Sequence, residues 1–165
     1  MARLTELDLL NTLRTVVARG TPFLGICLGT QIILEHSEED GGVDAIGLIP
    51  GRVRRFTPTD RWDKVPQIGW NTVRVRRPHP VLAGIADDSE FYFVHSYYPA
   101  PRIPDHVIAT TTYAGTEFAA VLGRDSLVAT QFHPEKSGRI GLRLLRNFTT
   151  WDGVPNAPAP PGSPC

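Results

Sequence analysis

The segment Phe23-Leu24-Gly25-Ile26-Cys27-Leu28-Gly29 limits what this chain can fold into more than any other. Phe23 to Ile26 form a short apolar run that breaks at Cys27, and Leu28 to Glu38 resume a helical pattern. The segment therefore reads as strand, sharp turn, helix. Glycines stand two residues to either side of Cys27, the spacing of a nucleophile elbow. A nucleophile at such a turn sits in a strained backbone conformation, and side chains at both flanking positions are expected to collide with the adjoining strand and helix. The helix dipole is expected to lower the thiol pKa toward neutrality. A buried structural thiol is the alternative for any single Cys.

Around this unit the chain alternates helical and extended patterns. Leu4, Leu7, Leu10, Leu13 and Val17 recur at helical spacing and Gly20 follows, which predicts a helix over 2–19 with a glycine C-cap. The spacing predicts strands at Gly51–Phe56, Gln67–Arg76, Glu90–Tyr97, Val107–Thr112, Ala119–Leu122 and Leu127–Phe132. Ser137 is expected to cap a last helix, Gly138–Thr150, with Ile140, Leu144, Leu145 and Phe148 on its inner face. Five prolines among the final twelve residues predict a disordered tail over 154–165, leaving one domain over 1–153. Mixed helices and strands of this kind imply an α/β fold of three layers carrying an antiparallel insertion.

Composition narrows the partners. Seventeen basic residues balance seventeen acidic ones, so no long-range field gathers nucleic acid or an anionic membrane. The expected partners are a small molecule or another protein, with no nucleic acid and no membrane. No apolar run approaches the roughly 20 residues that span a bilayer. No export signal is expected from the N-terminal residues. Cys27 and Cys165 sit at opposite ends of the sequence, the second as the last residue of a proline-rich tail, so no structural disulfide and a cytoplasmic location are expected. Arg52, Arg54 and Arg55, with Arg74, Arg76 and Arg77, are expected to form a basic stripe on adjacent strands, most simply a solvated face.

A second block completes a chemical pattern. Gln131-Phe132-His133-Pro134-Glu135 follows an apolar strand, which puts His133 at the strand's C-terminal edge, where open α/β sheets assemble their sites. Glu135 is placed to orient one imidazole nitrogen while the other takes the Cys27 proton, the logic of a catalytic triad. Alone, His-Pro-Glu in a loop is also an ordinary turn. Its weight comes from the company of an elbow cysteine.

In this wording the chain resembles the class I glutamine amidotransferases. Pro22-Phe23-Leu24-Gly25-Ile26-Cys27-Leu28-Gly29-Thr30-Gln31 and Gln131-Phe132-His133-Pro134-Glu135-Lys136-Ser137 are shared by that whole class. Pro66-Gln67-Ile68-Gly69-Trp70-Asn71, Tyr92-Phe93-Val94-His95-Ser96-Tyr97-Tyr98 and Glu117-Phe118-Ala119-Ala120 are similar to the glutaminase subunits of imidazole glycerol phosphate synthase, in the same order. The resemblance runs from about residue 4 to 150. It implies the three-layer, flavodoxin-like amidotransferase fold. It also implies hydrolysis of L-glutamine to glutamate and ammonia by Cys27, His133 and Glu135, with the Leu28 backbone N–H as an oxyanion donor. By the same resemblance Gln31, Glu39, Ser96 and Tyr97 bind the substrate. No cofactor and no metal are implied. The partner it implies is a cyclase subunit, a β/α barrel forming a heterodimer and receiving the ammonia for histidine biosynthesis, with Trp70, Asn71, Tyr92 and Lys136 near the interface.

One departure is visible. The family begins with a strand, a helix, a second strand and a glycine-rich loop that supplies a second oxyanion N–H, and residues 1–20 match the helix after that loop. The first β-α-β unit is therefore expected to be lacking, which leaves an exposed edge beside Phe23–Ile26. One oxyanion donor is worth roughly 3 kcal/mol. Two other readings stand beside the leading one: a glutaminase of the same class in another pathway, and a non-catalytic remnant acting as a binding module.

Overall fold

A computed structural model of the chain describes residues 1–155. The N-terminal helical pattern forms two helices, α1 (Ala2–Glu6) and α2 (Leu9–Ala18), and not one. They part at Asp8, which takes a left-handed conformation with φ of 51°. Neither buries a residue completely, so the apolar stripe is only half covered and little packing holds the two in one line. Gly20, with φ of 76°, closes α2 as expected.

The next strand, β1 (Phe23–Ile26), leads through Cys27 into α3 (Leu28–Ile32). That helix is much shorter than the span to Glu38 that the pattern suggests, because the chain turns back into β2 (His36–Ser37) and β3 (Val43–Asp44). There follow β4 (Gly51–Arg55), β5 (Gln67–Val75), β6 (Ser89–His95), β7 (Tyr97–Pro101), β8 (Val107–Tyr113), β9 (Thr116–Arg124) and β10 (Leu127–Thr130), then α4 (Gly138–Thr150). Six of these correspond to expected strands. The two-residue strands β2 and β3 carry too little pattern to be seen, and Ser96 divides the expected Glu90–Tyr97 strand into β6 and the start of β7.

The larger sheet has the order β1-β10-β9-β8-β5-β6, and the smaller one β3-β2-β4-β7. Within the larger sheet β1 and β10 are parallel, with Phe23 opposite Leu127 and Ile26 opposite Thr130, while the remaining pairs are antiparallel. All four residues of β10 are buried, as a strand covered on both faces requires. On one face Val128 joins a core with Phe91, Phe93, Phe132, Leu144 and Trp151. On the other, Leu127 and Ala129 join Ile33, Leu34, Ile49 and Val53. The sheet is thus the middle of three layers, between α4 and the α3 and small-sheet layer. Among the described residues β1 is an edge strand.

The β5–β6 hairpin positions the site. Its ladder pairing with the rest of the sheet is at the end of β5, where Arg74 and Val75 pair with Thr110 and Ala109. Its other strand reaches the C-terminal ends of β1 and β10: Phe91 stacks on Phe132 at 4.0 Å between ring centroids, and Tyr92 O accepts from His133 N at 2.9 Å.

Three further expectations are corrected. Ser137 makes no side-chain cap to α4; its Oγ donates to His133 O at 2.6 Å and accepts from Tyr92 N at 3.0 Å, tying the His133 turn to β6. Ile140 is exposed, and Gly141 lies on the inner face in its place. The arginines do not share adjacent strands, since β4 pairs with β2 and β7 while β5 pairs with β6 and β8. Arg74 and Arg76 instead face Asp88 and Glu117. Of the expected tail, Val154 is tied back by Trp151 Nε1, which donates to Val154 O at 2.8 Å; residues 156–165 lie outside the described residues.

Candidate active site

The parallel pairing of β1 with β10 brings the two sequence blocks together. Cys27 follows the last residue of one strand and Gln131-Phe132-His133 follows the last residue of the other, at the same edge. Cys27 N donates to Thr130 O at 2.8 Å and locks the two ends in register. Cys27 itself has φ of 49° and ψ of −102°, a conformation that a residue with a side chain holds only when its surroundings enforce it. The elbow is therefore real. The glycine argument holds on one side only: a Cβ at Gly25 would lie 3.0 Å from the backbone C and O of Gly29 and 3.1 Å from Ala129 Cβ, whereas a Cβ at Gly29 would meet nothing within 4 Å. Gly25 is what lets the first turn of α3 lie against β1.

Burial pushes the Cys27 thiol above its ordinary pKa, and the Glu135 and Glu39 carboxylates add to the rise; the Leu28 backbone N–H and Lys136 pull it down by less. The expected fall toward neutrality does not occur. A helix as short as α3 carries too small a dipole to outweigh burial of the sulfur. Sγ donates to Val94 O on β6, at 4.0 Å, and accepts from Gln131 Nε2 at 3.8 Å. Thiol burial is thus shared between the elbow and the hairpin above it.

His133 sits on the turn between β10 and α4, largely shielded from solvent, with Nδ1 2.6 Å from Glu135 Oε1. The carboxylate can only accept, so Nδ1 carries the hydrogen and Nε2 is left as the base in the neutral ring. Ser137 and Tyr92 hold this turn, as described above.

Gln31, in α3, is buried, and its Nε2 donates to Tyr97 O at 3.0 Å and Gln131 Oε1 at 3.2 Å. Leu28, Gln31, Ser37 and Glu39 line one groove beside the elbow. Tyr97 meets Gln31 through its backbone O, whereas the backbone O of Ser96 accepts from Phe56 N and contacts none of the other proposed site residues. Trp70 and Tyr92 are opposite each other on β5 and β6, their rings 6.0 Å apart at 71°. Trp70 is 55% exposed and neighbours Ile68, 63% exposed, on the same strand. Lys136 is exposed next to Glu135, but the Asn71 side chain turns away to donate to Thr112 O at 2.9 Å. Two polar contacts to the nucleophile, from Val94 and Gln131, were not legible in the sequence as such. Gln131 lay inside a recognised motif, whereas a backbone carbonyl leaves no trace in residue type.

The glutamine amidotransferase class-I family model matches residues 6–150. The chain belongs to this family. It is 51% identical over 137 residues to the imidazole glycerol phosphate synthase subunit HisH of Nitrosococcus oceani, covering 83% of this chain and 65% of that protein. It is 53% identical over 153 residues to the subunit of the same name from Nitratidesulfovibrio vulgaris, covering 90% of this chain and 70% of that protein. Within the class I glutamine amidotransferases the chain is thus a member of the HisH group, and it spans about two thirds of the length of these relatives. In fold it is similar to the structure of PurLQS from Thermotoga maritima, with a TM-score of 0.65 at 15% identity over 86% of this chain and 66% of that one. The α/β amidotransferase architecture expected from the resemblance is borne out. Among the described residues no helix is long and apolar enough to cross a membrane.

Proposed function

We propose that the chain is a glutaminase that works as the ammonia-producing subunit of a cytoplasmic imidazole glycerol phosphate synthase, with residues 1–153 as its amidotransferase domain. The observation that carries this reading is the strained Cys27 elbow held in register with a His133–Glu135 pair at the same sheet edge. The relatives' name supplies the pathway.

The sulfur rests as a thiol, since burial raises its pKa. The thiol, which rests donating to Val94 O, turns toward His133, whose Nε2 takes the proton as Sγ attacks the side-chain amide carbon of glutamine. The carbonyl oxygen becomes an oxyanion facing the Leu28 N–H. Collapse of this intermediate breaks the carbon–nitrogen bond, and the imidazolium returns its proton to the departing ammonia. His133 then deprotonates a water that cleaves the thioester, which releases glutamate and restores the thiol. Throughout, Glu135 holds the Nδ1–H and stabilises the transient imidazolium.

Both amide hydrogens of Gln31 are already engaged. Its remaining group, Oε1, is an acceptor, suited with the Glu39 carboxylate to the α-ammonium of the substrate. The family resemblance assigns Ser96 and Tyr97 to the same substrate, Tyr97 supported by its backbone contact to Gln31. Trp70, Tyr92 and Lys136 rim the same end and form the surface for the cyclase subunit, with Asn71 supporting it from beneath through Thr112.

The test is glutamate release from L-glutamine by the full chain with and without a cyclase subunit. Hydrolysis stimulated by that subunit and abolished by Cys27→Ala is expected. Hydrolysis that survives Cys27→Ala, or silence in the presence of the cyclase subunit, overturns the reading.

A further inference from the structure

Gln31 and Gln131 are both buried, on different elements, and meet beneath the nucleophile. Their amide orientations follow from the groups around them. Tyr97 O can only accept, and it faces Gln31 at 3.0 Å while also taking the Nδ1 hydrogen of His95 at 2.7 Å. Gln31 must therefore present its NH₂ there. The second hydrogen of the same nitrogen reaches Gln131 at 3.2 Å, where it requires an acceptor, so Gln131 turns Oε1 toward Gln31. Gln131 Nε2 is then left on the Cys27 side, 3.8 Å from Sγ. The alternative flip of either amide would set like groups against each other.

Sγ is consequently bracketed by groups of opposite character. A thiol uses both, donating to Val94 O and accepting from Gln131 Nε2. A thiolate keeps the Gln131 contact as its side-chain donor, beside the Leu28 backbone N–H, and is repelled by the carbonyl. The contact is therefore stronger for the ionised sulfur than for the neutral one, as charge-assisted hydrogen bonds are.

We propose that Gln131 is a further catalytic residue, the side-chain donor that holds the ionised Cys27 sulfur, and that Gln31 is the positioning residue that turns the Gln131 amide toward it. For turnover the proposal rests on the glutaminase reading, but the hydrogen bond is testable on the sulfur alone.

The experiment follows the pH dependence of iodoacetamide alkylation of Cys27 in the full chain, read by mass spectrometry of the peptide that carries it, so that Cys165 does not contribute. Gln131→Met conserves approximate volume and removes the donor. The alkylation midpoint should rise by about one pH unit. Gln31→Met frees the Gln131 amide without removing it, and a smaller rise is expected. A merely structural role would lower Tm and leave both midpoints in place. An unchanged midpoint in folded Gln131→Met overturns the proposal; should that variant not fold, Gln31→Met decides in the same way. In the unsubstituted chain the Gln131 side-chain amide resonances should titrate with the Cys27 midpoint, and resonances indifferent to it also overturn the proposal. Midpoints that shift in a chain unable to hydrolyse glutamine would sink the glutaminase reading and leave the hydrogen bond standing.

Discussion

Replacing Gly141 with Ala should disable the site without touching any residue in it. Gly141 lies in the first turn of α4, packed on the turn that carries Glu135. A Cβ there would lie 1.9 Å from Pro134 O, 2.8 Å from Pro134 C and 2.8 Å from Ser137 Cβ. Ordinary contact begins at 3.4 Å, so helix and turn must separate by about 1.5 Å (3.4 less 1.9) along that direction. Pro134 stands between His133 and Glu135, and Ser137 ties the turn to Tyr92. The separation therefore falls on the 2.6 Å contact between His133 Nδ1 and Glu135 Oε1. Misplacement of about 1 Å in a reacting constellation costs about 100-fold in rate, and overpacking of this kind costs about 1–3 kcal/mol of stability. Gly29→Ala is the control. It sits two residues from Cys27 but a Cβ there would meet nothing within 4 Å, and helix propensity gives it up to about 1 kcal/mol of added stability. Glutaminase rates and urea unfolding of the two variants, measured side by side, decide the matter. Gly141→Ala with a rate within threefold of the unsubstituted chain would refute the steric reasoning.

Glu135→Gln should separate two roles that one carboxylate plays. Its charge raises the Cys27 pKa, so the alkylation midpoint should fall, while loss of the His133 orienter lowers the glutaminase rate by about 10²-fold or more; a midpoint that does not fall contradicts the charge assignment. Acid should destabilise the fold through two buried histidines. Burial lowers both His79 and His95 to about 4, below the unfolded value near 6.5, so the unfolded chain binds more protons between these limits. Their contribution is intact above about pH 6.5 and is lost as pH falls toward 4, at about 3 kcal/mol each to order of magnitude. In His79→Asn, whose side-chain oxygen can still accept from Val81 N, the slope of unfolding free energy against pH over this window should fall but persist, since burial also lowers His95 and His106; an unaltered slope would assign the effect elsewhere.

Residue type and order alone pointed to the chemistry proposed for this protein. The glycine spacing around Cys27, the His133-Pro134-Glu135 block and the apolar strands before each are local signals, and they located the elbow, the proposed base and the family. Local pattern also gave α4 its bounds and six strands their positions. What depended on distant neighbours could not be read this way. The split between α1 and α2 follows from how little packs against them, and the shortness of α3 from the chain turning back into β2, because helices of that length have little stability of their own. The thiol pKa went opposite to expectation because desolvation is set by the whole surrounding fold, whereas the dipole argument used only the adjoining helix. The hairpin that brings Val94, Tyr92 and the Ser137 tie over the site belongs to the same class. So do the two buried glutamines, a hundred residues apart, whose amides can be oriented only once Tyr97 O is seen between them and His95. Sequence names the groups that react; the fold decides which hydrogen-bonding groups surround the sulfur, because desolvation and amide orientation are properties of the whole packed neighbourhood.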